Sequence, residues 1–472
     1  MRLAGLRLSN YKKFKQENFD LSKKVTLLYG ENSSGKSSFL KAIAGAKQTF
    51  NQKNVYDSWA AQGDITDLGD YADFIHNHNS ALKFGIGFTL SEKGRKKRPF
   101  EAVHYERLDL DLIYDQDKSV ECARLYSIKS KPTPLGRDTT HQKDYNYTLR
   151  RNINRSSFMF DCSVDYLDAL NDCLNKRRFL GDGDVRLAFS KSASVTVTGA
   201  KNFSLTKESG NSISPSWISL TDFKYQFEKI SIAFEKIFYL GPLRISPSRG
   251  YKKKLHEMSV GTNGEQTPAI LYYMQQASEK SKNKSEDSWG RFSRWFSLVF
   301  KGCSVKTKKN GSNIEISVLK DGRADSIQDI GFGYSQVIPI IAQAAVMEPG
   351  QTLIVEQPEL HLHPKAQVEL SRFLVDAIVH GLYLILETHS EHILKGMQLA
   401  ISESNIGGEL KLSKDDVSIY YFLNCDADLS QYKILELNKW GEIEGGWPKG
   451  FFDESLDISR KMFLNKNLKA NS

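Results

Sequence analysis

Three short apolar segments along the chain predict β-strands that are buried on both faces. The first is Val25–Tyr29, the second is Thr352–Val355, and the third lies within Leu382–Ser390. The first strand is followed by a glycine-rich loop, Gly30–Lys36, and by a helix that starts over Ser37–Ala46. Short buried strands that alternate with helices predict an α/β fold.

The middle of the chain has a different pattern. Residues 93–235 lack sustained heptads, but residues 165–180 predict one amphipathic helix and residues 185–205 predict strands. We therefore expect a compact inserted α+β arm or lid. The flanking segments, residues 1–92 and 236–472, then supply the two parts of one ATPase-like domain, the second with a small C-terminal β extension.

The loop after the first strand matches the phosphate-binding pattern G-x-x-x-x-G-K-[ST]. Glycines let backbone N–H groups wrap a phosphate chain closely, and the following helix N-terminus adds a positive dipole end. Lys36 would reach the β- and γ-phosphates, and the Ser37 hydroxyl would bind Mg²⁺. The pattern predicts a site for ATP and Mg²⁺ formed by Gly30, Asn32, Ser33, Ser34, Gly35, Lys36, Ser37 and Ser38.

A P-loop site also needs an acidic residue on a second strand to hold the metal. The strand Thr352–Val355 ends in Glu356, about 320 residues after Lys36. Compact RecA-like ATPases keep these two motifs much closer, so the spacing favours an ABC-type fold assembled from both ends of the chain. Just upstream, Gly331 and Gly333 predict a flexible loop, with Ser335 at the N-cap of an apolar helix.

Four motifs occur in the order of a known family: GENSSGKS, GFGYSQVIPII, LIVEQPELHLHP and LILETHSEHIL. Together they resemble the SMC/RecF/OLD-like branch of ABC ATPases, and most closely a bacterial group of AAA-type ATPases from anti-phage defence operons. YLGPLRISPSRGY with the later VGTNGE (residues 239–265) and the segment 434–454 resemble the same group. The resemblance covers residues 1–92 and 236–455.

The resemblance implies a role for each motif. Gly30–Ser38 is similar to the Walker A loop, and Glu356 takes the metal-holding place of the Walker B aspartate. His389 matches the switch histidine that senses the γ-phosphate.

Two further segments match family positions at a subunit interface. Gly331–Gln336 resembles the signature segment that touches the γ-phosphate bound by a second subunit, through Gly333, Ser335 and Gln336. Leu360–Pro364 falls where the D-loop crosses the dimer interface. The resemblance therefore implies a homo-oligomer, a dimer or larger, with ATP between subunits.

The sequence departs from the family at one catalytic position. The residue after the Walker B acid is normally a glutamate that polarises the attacking water, but here it is Gln357. An amide accepts no proton at neutral pH, so we expect slow hydrolysis, with Glu359 as the substitute base.

The sequence gives weaker support for two other kinds of site, a zinc site and a nuclease site. The four residues His361, His363, His389 and His392 have HxH and HxxH spacings, but they follow separate strands and match interface and switch positions. Asp426 and Asp428 resemble the DxD pair of a Toprim nuclease, but Toprim also needs an upstream glutamate on a Gly-rich turn and more residues than the roughly 80 that follow Glu391, which predict short strands with turns. We expect no nuclease domain and no zinc site.

Composition and charge limit the cellular locations and the classes of binding partner that the sequence favours. Five scattered cysteines, the absence of a long apolar run and an N-terminus without an apolar core predict a cytoplasmic protein with no membrane segment. The net charge is +9, and residues 251–310 contribute an excess of seven positive charges. A second basic cluster contains Lys93 and Arg95–Arg98. Both are expected of either a polyanion-binding surface or an ordinary solvated face.

Two classes of function remain open at this stage. The first is the regulatory ATPase of a defence system such as Septu, in which a PtuA-like subunit controls an effector, for example an HNH nuclease encoded beside it. The second is a RecF-like ATPase that clamps DNA during repair. An ABC transporter subunit fits less well, because the signature segment is atypical and the insertion is long.

Overall fold

The computed structural model describes most of the chain outside the insertion. Its described residues are 1–51, 58–92, 105–117, 122–134, 147–151, 157–162, 192–197, 203–206, 226, 228–252, 258–281, 287–408, 411–424, 431–448 and 462. The predicted helix at 165–180, the cluster of Lys93 and Arg95–Arg98, and the pair Asp426 and Asp428 lie outside these residues.

The strands of the described residues fall into three sheets. In chain order they are β1 (Arg2–Tyr11), β2 (Phe14–Asp20), β3 (Val25–Gly30), β4 (Phe84–Ser91), β5 (Tyr105–Asp117), β6 (Cys122–Pro134), β7 (Tyr147–Arg151), β8 (Ser157–Cys162), β9 (Ser192–Val197), β10 (Phe203–Thr206), β11 (Ile237–Leu240), β12 (Tyr251–Lys252), β13 (Cys303–Asn310), β14 (Asn313–Lys320), β15 (Arg323–Ser326), β16 (Thr352–Glu356), β17 (Tyr383–Glu387), β18 (Val417–Phe422) and β19 (Tyr432–Leu435).

The first α-helix of the described residues is α1 (Lys36–Phe50), which starts at the end of the glycine-rich loop. Further helices are α2 (Tyr71–Phe74), α3 (Thr267–Lys280), α4 (Ser288–Val299), α5 (Phe332–Val346), α6 (Pro364–Val379) and α7 (Glu391–Asn405), and residues 228–235 are also helical. Side-chain caps fix several starts. Asp287 accepts from the Gly290 N–H before α4, and Ser390 accepts from the Ile393 N–H before α7.

Two compact units make up the chain. One contains Met1–Ser22, Ser37–Ile237 and Cys425–Gln431, and the other contains Lys23–Lys36, Phe238–Asn424 and Tyr432–Ser472. The domain limits expected from the sequence, residues 1–92, 93–235 and 236–472, stay predictions.

A long antiparallel sheet dominates the first unit, with strand order β10-β9-β8-β7-β6-β5-β4-β1-β2. Strands β5–β10 come from the inserted region and continue the sheet that β4, β1 and β2 form. The predicted strands within residues 185–205 are present as β9 and part of β10. Across the sheet, the Arg7 guanidinium pairs with Asp109 at 3.2 Å and with Asp111 at 2.6 Å.

The second unit is built on a six-stranded sheet of order β11-β16-β17-β3-β18-β19. Strands β16, β17, β3 and β18 are parallel to their neighbours in this run, and β19 is antiparallel to β18. Every residue of β3, β16 and β18 is buried, as expected where helices cover both faces of a parallel sheet. The predicted α/β fold is confirmed.

The three predicted strands occur where the apolar runs placed them. The third strand, β17, ends at Glu387, just before Thr388 and His389, in which the sequence pattern predicts its end. The strand ends earlier because Ser390 is already the N-cap of α7. The core of this unit includes the fully buried side chains of Trp295, Phe296 and Phe373.

A small sheet, β12-β14-β13 with β15 beside β14, also belongs to the second unit. Buried and exposed residues alternate along β13 as far as Lys308, which leaves Lys306 and Lys308 exposed, and Lys309 is exposed near the end of the strand. Among the described residues, no helix has both the length and the apolar character needed to span a bilayer.

Candidate functional site

The carboxyl ends of three parallel strands bring the predicted motifs together. Glu356, the last residue of β16, is directly opposite Glu387, the last residue of β17. Glu387 is in turn opposite Leu28 of β3, two residues before Gly30. Because parallel strands end at the same sheet edge, the glycine-rich loop and two acidic strand ends are neighbours.

The loop Gly30–Lys36 requires its glycines. Gly30 has φ +136° and Gly35 has φ +114°, both in the region that disfavours other residues. A Cβ atom at Gly30 would lie 2.4 Å from the carbonyl oxygen of Phe422 on β18. Ser33 also has positive φ, at +60°. The chain therefore turns tightly around the space that the pattern assigns to phosphates.

Lys36 is a buried cation inside this loop. It is only 4% exposed, and its ammonium donates to the carbonyl oxygens of Gly30 at 2.8 Å and Glu31 at 2.6 Å. Burial lowers the pKa of Lys36, while the charges of Glu387 and Glu31 act to raise it. The Glu387 carboxylate is itself buried, at 4% exposure. The ammonium thus lies in an interior site beside carboxylate charge.

The loop contains polar groups suited to an anion. The Ser34 hydroxyl is buried and has no hydrogen-bond partner among the described residues, whereas Asn32 and Ser33 are exposed. A buried hydroxyl without a partner is uncommon, because it forfeits the hydrogen bonds it makes in water. A phosphate oxygen would supply the missing partner. Ser37 and Ser38 follow at the start of α1, and their predicted contacts stay predictions.

Glu356 is a buried carboxylate held by an adjacent segment. It is 7% exposed, and the Tyr239 hydroxyl donates to its Oε1. Burial and the charges of Glu356 and Glu387 raise the pKa of Tyr239, so the phenol keeps its proton. Arg244 donates from Nη2 to the Glu356 backbone carbonyl at 2.7 Å. Burial lowers the pKa of Arg244 to about 10, which leaves it charged at neutral pH.

The loop after β16 places a second carboxylate, that of Glu359, near His389. Gln357 adopts a left-handed conformation, with φ +45°, and its N–H donates to the Glu387 carbonyl at 2.7 Å. Two residues on, Glu359 Oε1 accepts from the His389 backbone N–H at 2.8 Å, and its Oε2 is buried without a hydrogen-bond partner among the described residues. Burial raises the pKa of Glu359, against the effects of the His389 N–H, Thr388 and Arg244.

His389 lies at the same sheet edge. Its side chain is exposed, but partial desolvation and the charge of Lys36 lower its pKa. A neutral imidazole beside the phosphate loop can donate one hydrogen bond and accept another. The structure therefore brings Lys36, Glu356, Glu359 and His389 into one unit of the protein.

The signature segment forms a helix start, but not in the predicted way. Helix α5 begins at Phe332 with Gly331 as N-cap, so the prediction that Ser335 caps this helix is wrong. Ser335 is inside the first turn and donates to the Phe332 carbonyl at 2.6 Å, while Gln336 is buried. Gly333 packs closely on the D-loop segment, because a Cβ there would lie 2.9 Å from the His361 carbonyl.

The four histidines do not converge. His363 is the N-cap of α6, where its ring accepts from the Lys365 N–H, and the His361 ring contacts Phe332 edge-on. Within the part of the chain that the structure describes, no group of three or more metal-ligating side chains is present.

Sequence reasoning missed three residues of this site: Tyr239, Arg244 and Glu387. The first two belong to YLGPLR, a segment noted for its resemblance without a role, and Glu387 ends the apolar strand of LILETHS. An acidic residue at the end of a buried strand was the available signal for Glu387. The contacts of Tyr239 and Arg244 depend on the order of strands in the sheet.

A family comparison identifies the class of protein. Residues 1–394 match the model of the family described as AAA ATPase domain, which is most of the chain. The chain belongs to this family. Residues 412–460 match a second family, described as a protein of unknown function, DUF3696. No curated protein shows a significant match to the chain.

Similar solved structures include several SMC heads at low identity. The SMC head domain from Thermotoga maritima has 11% identity and a TM-score of 0.37, covering 93% of this chain and 100% of that one. An SmcHead bound to the C-winged helix domain of ScpA has 13% identity and a TM-score of 0.44, covering 93% and 99%. An Smc head with an extended coiled coil, bound to the C-terminal domain of ScpA from Pyrococcus furiosus, has 10% identity and a TM-score of 0.42, covering 98% and 99%.

Replacing Lys36 tests the phosphate loop directly. Lys36→Ala should lower ATP affinity by about 100-fold or more, because the β- and γ-phosphates lose a charge-assisted hydrogen bond in a water-poor site. Titration calorimetry measures the affinity. Lys320→Ala, which removes an exposed lysine on β14, is the control and should bind ATP like the wild type. Equal affinity in Lys36→Ala would rule out the P-loop assignment.

Proposed function

We propose that this AAA ATPase binds ATP with Mg²⁺, hydrolyses it slowly, and uses the ATP-bound state to control a partner protein. The observation that carries the proposal is the buried ammonium of Lys36 inside a glycine-rich loop, beside the buried acidic ends of β16 and β17. A cation held in this way is suited to the phosphates of a nucleotide, and carboxylate oxygens are suited to magnesium.

The residues present fit magnesium at Glu356. Its carboxylate is a hard oxygen donor at the sheet edge next to the phosphate loop, and the motif adds the Ser37 hydroxyl. When bound, the ion would neutralise charge on the phosphates during transfer. Tyr239 holds the Glu356 carboxylate as a neutral phenol, and Lys36 is a cation, so neither adds a negative charge at the site.

Glu359 is the general base in this proposal. Its fixed Oε1 sets the orientation of the carboxyl group through the His389 N–H, and its buried Oε2 remains to accept a proton from water. Burial raises its pKa, which brings a carboxylate closer to the basicity that proton abstraction at neutral pH requires. Gln357 supplies no such group, so turnover is slow and the ATP-bound state persists.

Association of two copies completes the proposed site. The family resemblance places the signature segment and His389 at the γ-phosphate, the former from a second subunit. In this chain Phe332 is 42% exposed at the start of α5, and His389 is exposed at the sheet edge. Both are therefore accessible to a second copy, whereas Ser335 and Gln336 are buried in the single chain. The ATP-dependent dimer or larger homo-oligomer thus rests on the family resemblance, and its predicted contact is limited to the start of α5.

The proposed partner is an effector such as an HNH nuclease, in a Septu-like anti-phage system. The order of the sequence motifs supports this assignment. The alternative, a RecF-like clamp on DNA, is favoured by one surface, the exposed lysines of β13.

Substitutions in the loop after β16 test the base. Glu359→Gln should lower kcat by about 100-fold, the usual scale for losing a general base, with ATP affinity unchanged. Gln357→Glu should raise kcat, whereas Glu356→Gln should weaken Mg²⁺-dependent ATP binding. Steady-state phosphate release measures the rates. A rapid wild-type enzyme that is indifferent to Glu359→Gln would place the base elsewhere.

The pH profile tests the environment of Glu359. Since burial raises its pKa, the base is protonated at a higher pH than an ordinary glutamate, and kcat should fall as the pH drops through that raised value. The residual activity of Glu359→Gln should lack this acid limb. His389→Gln should retain it, which separates the carboxylate from the nearby imidazole.

Co-purification with the products of neighbouring genes tests the partner. We expect a stable complex with an effector, and a larger mass for Glu359→Gln with ATP than without, measured by light scattering. If no complex forms and the protein alone binds DNA with a steep salt dependence, the repair-clamp alternative is correct instead. Neutralising Lys306, Lys308 and Lys309 would then reduce the salt slope.

A further inference from the structure

Strand β11 and the segment that follows it make two separate contacts with one acidic residue, Glu356. Tyr239 and Arg244 are five positions apart, and both bind Glu356, the first at its side chain and the second at its backbone. Strand β11 is next to β16 in the sheet, so the segment leaves the sheet beside the loop that follows Glu356.

The Tyr239 contact fixes the carboxylate. A carboxylate only accepts hydrogen bonds, so the phenol is the donor to Oε1. This bond restricts rotation of a side chain that otherwise has several rotamers. A metal ligand that is already oriented loses less entropy when the metal binds.

The Arg244 contact fixes the backbone. The residue is 6% exposed, and its Nη2 and Nη1 donate to the carbonyls of Glu356 at 2.7 Å and of Gln357 at 3.4 Å. These carbonyls are at the point where β16 ends. A guanidinium reaches two such acceptors at once because its N–H groups form a planar fork.

The loop needs this support because Gln357 has a left-handed backbone. A non-glycine residue at φ +45° is strained by about 1 kcal/mol or more, so surrounding contacts must select that conformation. The Gln357 N–H is held by Glu387, and its carbonyl faces Arg244. The position of Glu359, two residues later, follows from this turn.

We propose that Tyr239 and Arg244 are positioning residues, of which Tyr239 orients Glu356 for Mg²⁺ and Arg244 holds the turn that places Glu359. This inference rests on the proposed function, since it assumes ATP and Mg²⁺ at the site. The proposal assigns a role to the segment YLGPLR, in which Tyr239 and Arg244 act through Glu356 and Gln357 and not directly on the nucleotide. The two residues therefore act on different quantities, metal affinity and turnover.

Tyr239→Phe tests the first role. The half-saturating Mg²⁺ concentration for binding of a fluorescent ATP analogue should rise about 10-fold or more, the usual effect of losing a group that orients a metal ligand. Affinity in EDTA should be unchanged. Tyr251→Phe is the matched control, because Tyr251 is also buried and its hydroxyl also makes one hydrogen bond, with the Ser248 N–H at 2.8 Å.

Arg244→Gln and Arg244→Lys test the second role. Each should lower kcat about 10-fold or more with little change in KM for ATP, since in this proposal Arg244 acts on the turn through the Glu356 and Gln357 carbonyls. Lysine keeps the charge without the fork and is the informative variant if Arg244→Gln has a much lower Tm. Arg291→Lys is the control, because Arg291 also holds a backbone carbonyl, that of Ala345, with two hydrogen bonds.

Two results would overturn the inference. One is a Tyr239→Phe protein whose half-saturating Mg²⁺ concentration equals that of wild type or is lower. A lower value is expected if the phenol only blocked the metal. The other is a folded Arg244→Lys protein with wild-type kcat. Failure of the wild type to bind ATP at all would instead contradict the proposed function.

Discussion

The structure of the site depends on how a buried ammonium is accommodated. Lys36 is nearly inaccessible to water, and removing an unpaired charge from water costs several kcal/mol. Two loop carbonyls accept its hydrogen bonds, and Glu387 provides compensating charge from the end of β17. This arrangement is possible only because β3, β16 and β17 are parallel and end at one edge. The same register places Glu356, the proposed metal ligand, beside Glu387.

Local patterns in the sequence predicted the parts of the site that local physics determines. The phosphate loop follows from two glycines, a lysine and an apolar strand within one short segment, and β16 and β17 follow from short apolar runs. The prediction that Ser335 is the N-cap of α5 was wrong, because Gly331 is the N-cap and Ser335 is inside the first turn of the helix. The roles of Tyr239 and Arg244 could not be predicted, since they depend on β11 lying next to β16, more than a hundred residues away in sequence. The pairing of the inserted strands in the long antiparallel sheet also could not be predicted from the sequence, because pairing between distant strands leaves no local pattern.

The chemistry of the loop after β16 is consistent with a regulatory ATPase. Gln357 accepts no proton at neutral pH, while Glu359 is half-buried, with Oε1 bonded to the His389 N–H and Oε2 buried without a hydrogen-bond partner among the described residues. In the function proposed above, such a site favours ATP binding over rapid turnover, and the long-lived ATP-bound state is the form that recruits a partner. Tyr239 and Arg244 contact the Glu356 side chain and backbone, and we propose that they contribute through the geometry of Glu356 and Gln357.

The most direct test of this account is a crystal structure of the protein with a non-hydrolysable ATP analogue and Mn²⁺, in which anomalous scattering locates the metal. The account predicts an anomalous peak next to the Glu356 carboxylate, bound directly or through one water, with the triphosphate in the loop Gly30–Lys36 and the Lys36 ammonium turned from the Gly30 carbonyl to the phosphates. A metal peak remote from Glu356, or a nucleotide bound outside this loop with Lys36 still on the Gly30 and Glu31 carbonyls, would contradict it.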